Sequence, residues 1–276
     1  MAFPAGCYPK TQKPLSVPFV GALDDFTALL TGVWSVVRLL LTSYTGPLVR
    51  LRRVSDSVEM DFYPLANGRV DEAGIVTFKG ASSLVVVYVY DQYASNNWTQ
   101  ASGAMQPAWV EGLSEFNNAP AMYLGSAAGM ENLLSVTKPY SILLTECNPD
   151  AATTPGARTL EQGGAYDGNN RFISSSRNTN AQAFEGSAIA PVLQTATAVC
   201  EVLTAPSSGN FTFYNNAVDA TTASIASQNW SRMALGKSGV FSEYAKSNVA
   251  EIVTFNTDLS GAQVTTMQAI FNPATL

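Results

Sequence analysis

The stretch VVVYVYDQYASNNWTQA, residues 85–101, joins an unbroken apolar run to a polar loop. Six apolar or aromatic residues in succession, followed by Asp and Gln, predict a buried strand over residues 84–90. A carboxylate, several amides and an aromatic ring at the end of a buried strand are the groups that make up a sugar-binding site. The same groups also occur in a loop that is only tied to its neighbours. The candidate residues for either role are Asp91, Gln92, Asn96, Asn97 and Trp98.

Further short strand-like runs lie on both sides of this strand, separated by clusters of Gly, Pro, Asn and Ser. Many short strands at modest intervals are typical of an antiparallel sandwich. We therefore predict an all-β fold, an antiparallel concanavalin A-like (jelly-roll) β-sandwich that spans residues 21–276. Its predicted strands are 48–53, 57–63, 84–90, PAMYLG at 120–125, YSILLTEC at 140–147, RFISSS at 171–176, TAVCEVLT at 197–204, FTFYNN at 211–216, RMALG at 232–236 and VAEIVTFN at 249–256.

Two helices are predicted beside these strands. An early helix over residues 24–41 begins at Asp24 or Asp25, because apolar residues follow at helical spacing. It is expected to pack on the sandwich through Phe26, Leu30, Trp34 and Val37. A short C-terminal helix over Gln263–Phe271 has the same spacing and is capped by Ser260. Its apolar positions are Val264, Met267, Ile270 and Phe271.

Residues 1–20 carry four prolines, at positions 4, 9, 14 and 18, and are predicted to form an extended N-terminal arm. Such an arm is either a floppy terminus or a segment that packs on a neighbouring subunit. In the second case its apolar side chains would be buried by the neighbour. These are Phe3, Tyr8, Leu15, Val17 and Phe19.

The charge of the chain argues against nucleic acid as a partner. The formal net charge of the 276 residues is −6, and the basic residues are scattered apart from RLRR at 50–53. Binding to phosphates requires a basic face that releases counterions. On a strand, RLRR places Arg50 and Arg52 on one side and Leu51 on the other, which favours a solvated strand face. The most apolar window, 28–41, is too short to span a bilayer, and no signal peptide is visible at the N-terminus.

The chain contains no histidine, which removes the usual general base, the Ser-His and Cys-His nucleophile pairs and most zinc sites. Its three cysteines, Cys7, Cys147 and Cys200, are far apart and show neither a metal spacing nor a disulfide framework. They are predicted to stay reduced. The run DGNN at 167–170 lacks the regular Asp spacing of a calcium loop, so neither a metal nor another cofactor is predicted.

Two regions of the sequence resemble known families. The ending, AEIVTFN followed by LSGAQVTTMQAIF, resembles the close of concanavalin A-like and laminin-G-like sandwiches. Residues 38–101 resemble the start of the catalytic domain of α-L-arabinofuranosidase B enzymes, which has an Arg-x-Ser-Asp turn and a Tyr-Asp-Gln loop followed by Asn, Thr and Gln. The matching positions are Arg38, Gly46-Pro47-Leu48, Arg53-Val54-Ser55-Asp56, Tyr90-Asp91-Gln92, Asn97, Thr99 and Gln100.

The resemblance implies the fold and a role for the loop. In that family the Tyr-Asp-Gln segment closes a strand and ties its loop through side-chain hydrogen bonds. Asp91 is therefore expected to accept backbone N–H groups, and Trp98 to cover the edge of the sandwich. Contact of the five candidate residues with a sugar is the alternative.

The chemistry of the resembled enzymes is not carried over. Their nucleophile lies in an Asp-x-Glu-Asn motif and their acid/base in a Gly-Gly-Asp turn, whereas the late stretch here, ALGKSGVFSEYAKSNVAEI, places Lys237 and Ser238 where an acid is needed. MENLLS at 130–135 echoes the nucleophile motif with Glu131, but it precedes the strand YSILLTEC and is interpreted as a chance match. A glycosidase needs two carboxyl groups about 5–10 Å apart, and no such pair is assigned. No catalytic residue is predicted, and the sequence favours a protein that is not an enzyme.

Three functions are compatible with these observations. The leading hypothesis is a non-enzymatic virion protein of a tailed bacteriophage, a capsid-surface, tail or fibre component assembled in the host cytoplasm. Its predicted partners are other copies of itself and other virion proteins, reached through the arm, and host surface polysaccharide. The alternative is a glycoside hydrolase of the arabinofuranosidase B type with relocated carboxylates, and a third is a soluble carbohydrate-binding module. The carboxylates considered for the alternative are Asp91, Glu131, Glu146 and Glu243.

Overall fold

A computed structural model describes residues 19–125, 128–147, 160–162, 176–177, 180–181, 192–193, 198–215, 218–224, 232–236 and 246–276. The strands are β1 Leu30–Ser35, β2 Val49–Arg53, β3 Glu59–Phe62, β4 Leu84–Val89, β5 Trp98–Thr99, β6 Ala108–Leu113, β7 Ala119–Leu124, β8 Met130–Asn132, β9 Tyr140–Cys147, β10 Leu160–Gln162, β11 Ser176–Arg177, β12 Asn180–Ala181, β13 Val192–Leu193, β14 Val199–Ala205, β15 Asn210–Asn215, β16 Val218–Ser224, β17 Met233–Leu235 and β18 Ser247–Phe255. The α-helices are α1 Glu72–Lys79 and α2 Gly261–Ile270.

Several sequence predictions fall outside the described residues. Of the predicted arm 1–20, only Phe19 and Val20 are described. The positions Lys237, Ser238 and Glu243, the run DGNN and most of the predicted strand RFISSS also lie outside them.

The described strands form the predicted antiparallel sandwich. Fifteen of them belong to one sheet in the order β10-β17-β8-β5-β4-β6-β7-β18-β9-β14-β15-β16, with β1 beside β18 and with β2 joining β3 to β4. Strand β6 links the two parts of the sheet, since it pairs with β4 through one residue pair and with β7 through four. One layer is built around β4 and the other around β9 and β18, and a common apolar core lies between them.

Alternation along each strand decides which residues enter this core. In β2 the side chains of Val49 and Leu51 are fully buried, whereas Arg50 between them is partly exposed, as RLRR predicts. In β9 the residues Ile142 and Leu144 belong to this core, while Leu143 belongs to a second apolar cluster on the other face of the strand.

The predicted helix over residues 24–41 is wrong in its secondary structure. A 3₁₀ helix covers only Asp24–Leu29, and β1 follows at once and pairs with β18. Strand β7 pairs only with the first residues of β18. The backbone groups of the later β18 residues would be buried without a hydrogen bond if β1 did not pair with them. The β-branched residues in this run also favour a strand. Of the predicted packing residues, Leu30, Trp34 and Val37 are buried nonetheless, and Phe26 is partly buried.

The predicted C-terminal helix is present as α2, and its start is fixed by a capping box. The Ser260 hydroxyl accepts from the backbone N–H of Gln263, and the Gln263 side chain accepts from the backbone N–H of Ser260. The buried side of α2 belongs to the second apolar cluster, which includes Val264 and Met267 together with Val253 of β18. The early α-helix of the chain is instead α1, which the sequence analysis did not predict and which Asp71 caps through the N–H of Gly74.

Phe19 packs on its own chain. A Cβ placed on Gly68 would collide with the Phe19 ring, and Gly68 has a φ of +80°, so this turn depends on glycine. Phe19, the last aromatic residue of the predicted arm, therefore contacts its own sandwich at Gly68. Among the described residues, no helix combines the length and the apolar character needed to cross a membrane.

Candidate functional site

Asp91 stands at the end of β4, and both of its carboxylate oxygens accept hydrogen bonds from the backbone. Oδ1 accepts from the N–H groups of Val33 and Tyr93, each at 2.9 Å, and Oδ2 accepts from the N–H of Asn96 at 3.0 Å. Burial raises the pKa of Asp91, and the backbone N–H groups oppose that rise. The carboxylate thus joins β1 to the loop that follows β4.

The amides of the same loop make contacts of the same kind. Gln92 spans to the segment after β1, where its Oε1 accepts from the N–H of Leu40 at 2.7 Å and its Nε2 donates to the carbonyl of Arg38 at 3.0 Å. The side chain of Asn97 accepts from the N–H of Asp91, at 3.0 Å. The main polar groups of Asp91 and Gln92 are therefore engaged within the chain, and both side chains are buried.

Asn96 and Trp98 complete this loop. The carbonyl of Asn96 accepts from Trp34 Nε1 at 2.7 Å and from Asn132 Nδ2 at 2.6 Å. Trp98 is fully buried and meets Trp34 edge to face, with 5.8 Å between the ring centroids. The structure brings all five predicted residues together, in an arrangement built from contacts within the chain.

A second set of polar groups lies in the central strands, where three otherwise apolar runs each contain one glutamate. Glu146 is in β9, Glu201 in β14 and Glu251 in β18, and their exposed fractions are 1%, 2% and 1%. Burying a carboxylate is costly unless it is paired or hydrogen-bonded. Glu251 has such a partner in Arg38, at 2.9 Å.

The register of β9 and β14 places Glu146 and Glu201 on the same face of the sheet. Glu146 stands opposite Val199 and Glu201 opposite Leu144, so the two glutamates are diagonal neighbours on adjacent strands. Diagonal neighbours of this kind have Cα atoms about 7–8 Å apart. Leu144 belongs to the core between the layers, so both carboxylates lie on the inner side of the sheet. We call Glu146 and Glu201 the inner carboxylate pair.

A serine hydroxyl contacts one member of this pair, and a cysteine stands next to each of its members in the sequence. The hydroxyl of Ser247, at the start of β18, donates to Glu146 Oε2 at 2.7 Å. Cys147 follows Glu146, and burial together with the charges of Glu115 and Glu146 raises the pKa of its thiol to about 12. Burial and the charges of Glu251 and Glu201 likewise raise the pKa of Cys200. Both thiols are therefore protonated at neutral pH and are poor nucleophiles.

The other carboxylates considered from the sequence are placed differently. Glu131 lies in β8 opposite Thr99 of β5, on the outer face, and it does not join the inner carboxylate pair. Asp91 is engaged by the backbone as described above, and Glu243 lies outside the described residues. In the part of the chain that the structure describes, no three Cys, Asp or Glu side chains are grouped closely enough to hold a metal ion.

Sequence reasoning identified Glu146 but missed Glu201. The available signal was a charged residue inside the apolar run TAVCEVLT, since a buried strand seldom carries a carboxylate without a function or a partner. Of the Asp-x-Glu-Asn motif named above, only the glutamate is present at Val199–Val202. The pairing of β9 with β14, which brings the two glutamates together, is not visible in the sequence.

The family model of the α-L-arabinofuranosidase B catalytic domain matches residues 28–185, more than half of the chain. The chain belongs to this family. The match includes β4 with its loop and β9 with Glu146, and it ends before Glu201. No curated protein sequence is significantly similar to the chain.

Solved structures of arabinofuranosidases have the same fold over 92% of this chain. An arabinofuranosidase complexed with arabinofuranosyl-α-1,2-xylobiose is similar with a TM-score of 0.70 at 15% identity, over 64% of that protein. A mutant GH54 α-L-arabinofuranosidase soaked with 4-nitrophenyl α-L-arabinofuranoside has the same score and identity, over 65% of its length. A GH54 α-L-arabinofuranosidase soaked with a cyclic sulfate inhibitor follows with a TM-score of 0.67 at 14% identity, over 65% of its length.

The chain thus spans less than two thirds of the length of these proteins. At such low identity the likeness establishes a shared β-sandwich fold. Together with the family match, it identifies the fold as that of a carbohydrate-active protein. The similarities lend no support to the virion role or the oligomer that the sequence analysis favoured.

Proposed function

We propose that this chain is a glycoside hydrolase that cleaves arabinofuranosyl residues from glycans, with Glu146 and Glu201 as its two carboxyl groups. The observation that supports this most strongly is the register that makes them diagonal neighbours on the inner face of β9 and β14. The family match and the fold shared with arabinofuranosidases suggest the substrate class. The proposal replaces the non-enzymatic role favoured by the sequence.

The spacing of the pair suits glycoside hydrolysis. The reaction needs one carboxyl group to protonate the leaving oxygen and a second to act as nucleophile or as base for water, with the two groups about 5–10 Å apart. Diagonal neighbours with Cα atoms about 7–8 Å apart place two carboxyl groups within or close to this range. No histidine is required for this chemistry, which agrees with the composition of the chain.

Both members of the inner carboxylate pair are enclosed, at 1% and 2% exposure. A sugar must therefore displace neighbouring groups to reach them. Once water is excluded from such a site, charge interactions with the developing positive charge of the sugar become stronger. Ser247 holds one oxygen of Glu146 and so restricts the orientation of that carboxylate.

The test is the hydrolysis of 4-nitrophenyl α-L-arabinofuranoside by the wild-type chain and by the variants Glu146→Gln and Glu201→Gln. We expect each substitution to lower kcat about 10²–10⁴-fold, because each removes one of the two groups on which the reaction depends. Glu72→Gln is the matched control, since Glu72 lies in the first turn of α1 and belongs to neither β9 nor β14, and its kcat should remain within about twofold of the wild-type value. Azide is then added to each slow variant. The anomeric configuration of the glycosyl azide then assigns the roles. An inverted azide marks the variant that lacks the nucleophile, because azide attacks the substrate directly, and a retained azide marks the variant that lacks the acid/base, because azide attacks the glycosyl-enzyme.

Two outcomes contradict the proposal. If folded wild-type protein does not release nitrophenol, or if both pair variants keep the wild-type rate, the inner carboxylate pair is not catalytic. Binding of arabinan without any turnover would instead support the third hypothesis from the sequence, a carbohydrate-binding module. The predicted assembly through residues 1–20 is independent of this test and stays a prediction.

A further inference from the structure

Aromatic and charged side chains gather on the outer face of β2, β3 and β4, opposite to the face that carries the core. They form what we call the tyrosine cluster, which consists of Arg50, Asp61, Tyr63, Tyr88 and Tyr90. Arg50 and Asp61 stand opposite each other on β2 and β3, and Arg50 stands opposite Tyr88 on β4. Tyr63 follows two residues after Asp61 and is 51% exposed.

Hydrogen bonds hold the polar members of the cluster in place. Arg50 contacts Asp61 through two bonds, from Nε to Oδ1 at 2.8 Å and from Nη2 to Oδ2 at 2.9 Å. The Tyr90 hydroxyl donates to Asp61 Oδ1 at 2.7 Å. These groups are fixed before any ligand arrives, so a ligand that uses them loses little side-chain entropy.

The cluster keeps unused hydrogen-bonding capacity. A guanidinium carries five N–H donors, and the bonds of Arg50 to Asp61 occupy two of them. The carboxylate of Asp61 offers about four acceptor positions and accepts three hydrogen bonds. The Tyr90 oxygen, whose hydrogen is donated to Asp61, still accepts. A hydroxyl group that both donates and accepts matches this set of free positions.

Aromatic rings accompany these polar atoms. Tyr88 and Tyr90 are stacked with ring centroids 5.9 Å apart, and the guanidinium of Arg50 lies over Tyr88 at 5.3 Å from its centroid. These contacts fix the two inner rings, while Tyr63 remains half-exposed beside Asp61. Apolar C–H groups of a sugar ring pack against such an exposed ring, while the sugar hydroxyls reach the polar atoms.

The same face continues as a row across five strands. Pairing aligns Asp61, Arg50, Tyr88, Thr99 and Glu131 on β3, β2, β4, β5 and β8. With strands about 4.8 Å apart, the row is about 19 Å long. The one basic residue of the row, Arg50, is already paired with Asp61, which disfavours anionic ligands such as nucleic acids or acidic lipids. The row is polar except for its tyrosine, so it lacks the apolar centre that is typical of a protein interface.

We propose that this row is a binding track for a neutral polysaccharide chain, separate from the inner carboxylate pair. A sugar stacks on Tyr63, its hydroxyls bond to Arg50 and Asp61, and the chain continues past Thr99. The track extends beyond the proposed hydrolase function and does not depend on it, because it lies on the outer face of the other layer. Its role is to hold a polysaccharide chain; that this is the chain from which a residue is cleaved rests on the proposed function.

The experiment determines Kd from the retention of the protein in affinity electrophoresis, in gels that contain soluble arabinan or arabinoxylan. The parent protein carries Glu146→Gln and Glu201→Gln, so that no polymer is hydrolysed. We expect Tyr63→Ala and Arg50→Lys to raise Kd for the retaining polymer at least tenfold. Tyr93→Ala is the matched control, since Tyr93 is similarly exposed, at 45%, in the loop after β4. Its Kd should stay within about twofold of the parent value.

Each remaining outcome overturns the track. The track is wrong if neither polymer retains the parent protein. It is also wrong if Tyr63→Ala binds the polymer with an unchanged Kd, since this exposed side chain is not required for folding. A change confined to self-association of the Tyr63→Ala protein would assign the cluster to a protein interface instead. The two proposals fail independently of each other. If the track is wrong, Tyr63→Ala in the otherwise wild-type chain still hydrolyses 4-nitrophenyl α-L-arabinofuranoside. If the hydrolase is wrong, the protein still binds the polymer.

Discussion

Arg38 and Glu251 form a bidentate ion pair inside the fold, with Nε 2.9 Å from Oε1 and Nη2 3.0 Å from Oε2. The same Nη2 donates to the carbonyl of Ile270 at 2.8 Å, and the Ser35 hydroxyl donates to Glu251 Oε1 at 2.9 Å. One carboxylate in β18 therefore joins the end of β1 to the last turn of α2. The side chain of Glu251 is fully buried, and that of Arg38 is 17% exposed.

Breaking this ion pair from one side should destabilise the protein severely. Arg38→Met leaves the Glu251 carboxylate buried without its cation, which costs about 3–5 kcal/mol of unfolding free energy. Replacing both residues, as Arg38→Met/Glu251→Met, should restore a large part of that loss, since no uncompensated charge remains. Urea denaturation of the single and double variants measures the coupling. Additive losses would show that the pair is not a unit.

Trp34 is predicted to be the most sensitive core position of β1. It is 1% exposed, contacts Trp98 edge to face and donates through Nε1 to the carbonyl of Asn96. Trp34→Ala should lower the unfolding free energy by about 3–5 kcal/mol, and Trp34→Phe should lower it less because most of the ring volume is kept. Thermal unfolding compares both with Tyr93→Ala, an exposed position expected to change stability by less than about 0.5 kcal/mol. Equal effects for the two Trp34 variants would contradict the packing argument.

The error at residues 24–41 shows what periodicity leaves undecided. Leu30, Trp34 and Val37 are buried as predicted, but not through a common helical face. Apolar clusters lie on both faces of β1, so Leu30 enters one cluster while Trp34 and Val37 enter the other. What decides between a helix and a strand is the open edge of β18, more than two hundred residues later in the chain. A long-range pairing of this kind overrides local propensity and cannot be inferred from the local pattern.

The candidate sites differ in the same way. Asp91 and its neighbours form a local loop, and their identity could be predicted because the loop is contiguous in sequence. Glu146 and Glu201 belong to strands separated by a long stretch of chain, and only the register of β9 and β14 makes them neighbours. Glutamates within apolar runs were the visible signal, and strand pairing was the missing information.

The capping box at Ser260 gives a local prediction for α2. Ser260→Ala removes the hydroxyl that accepts from the N–H of Gln263 and should cost about 1 kcal/mol. Thr265→Ala, on the exposed side of the same helix, is the control and should be neutral or slightly stabilising, because alanine is the better helix former. Urea denaturation measures the unfolding free energy of both variants. A loss in both variants would place the effect in the helix as a whole rather than in its cap.

Asp61 gives the fold a dependence on pH whose sign can be derived. Burial alone would raise the pKa of Asp61, but hydrogen bonds from Arg50 and Tyr90 and the charge of Arg50 lower it below the ordinary value of 3.8. A carboxyl group whose folded-state pKa is lowered contributes stability above its unfolded-state pKa. That contribution disappears as the pH falls through the folded-state value.

Asp61→Asn should therefore be less stable than the wild type at pH 7, by about 1 kcal/mol given the partial exposure of Arg50 and Asp61. The difference should stay constant down to about pH 5 and shrink below pH 4, because only the wild type loses a charged hydrogen-bond acceptor there. Urea denaturation of both proteins between pH 2.5 and 7, at about 0.1 M salt, measures it. A difference that grew on acidification would mean that Asp61 is held in its protonated form, and the Arg50–Asp61–Tyr90 network would then not exist as described.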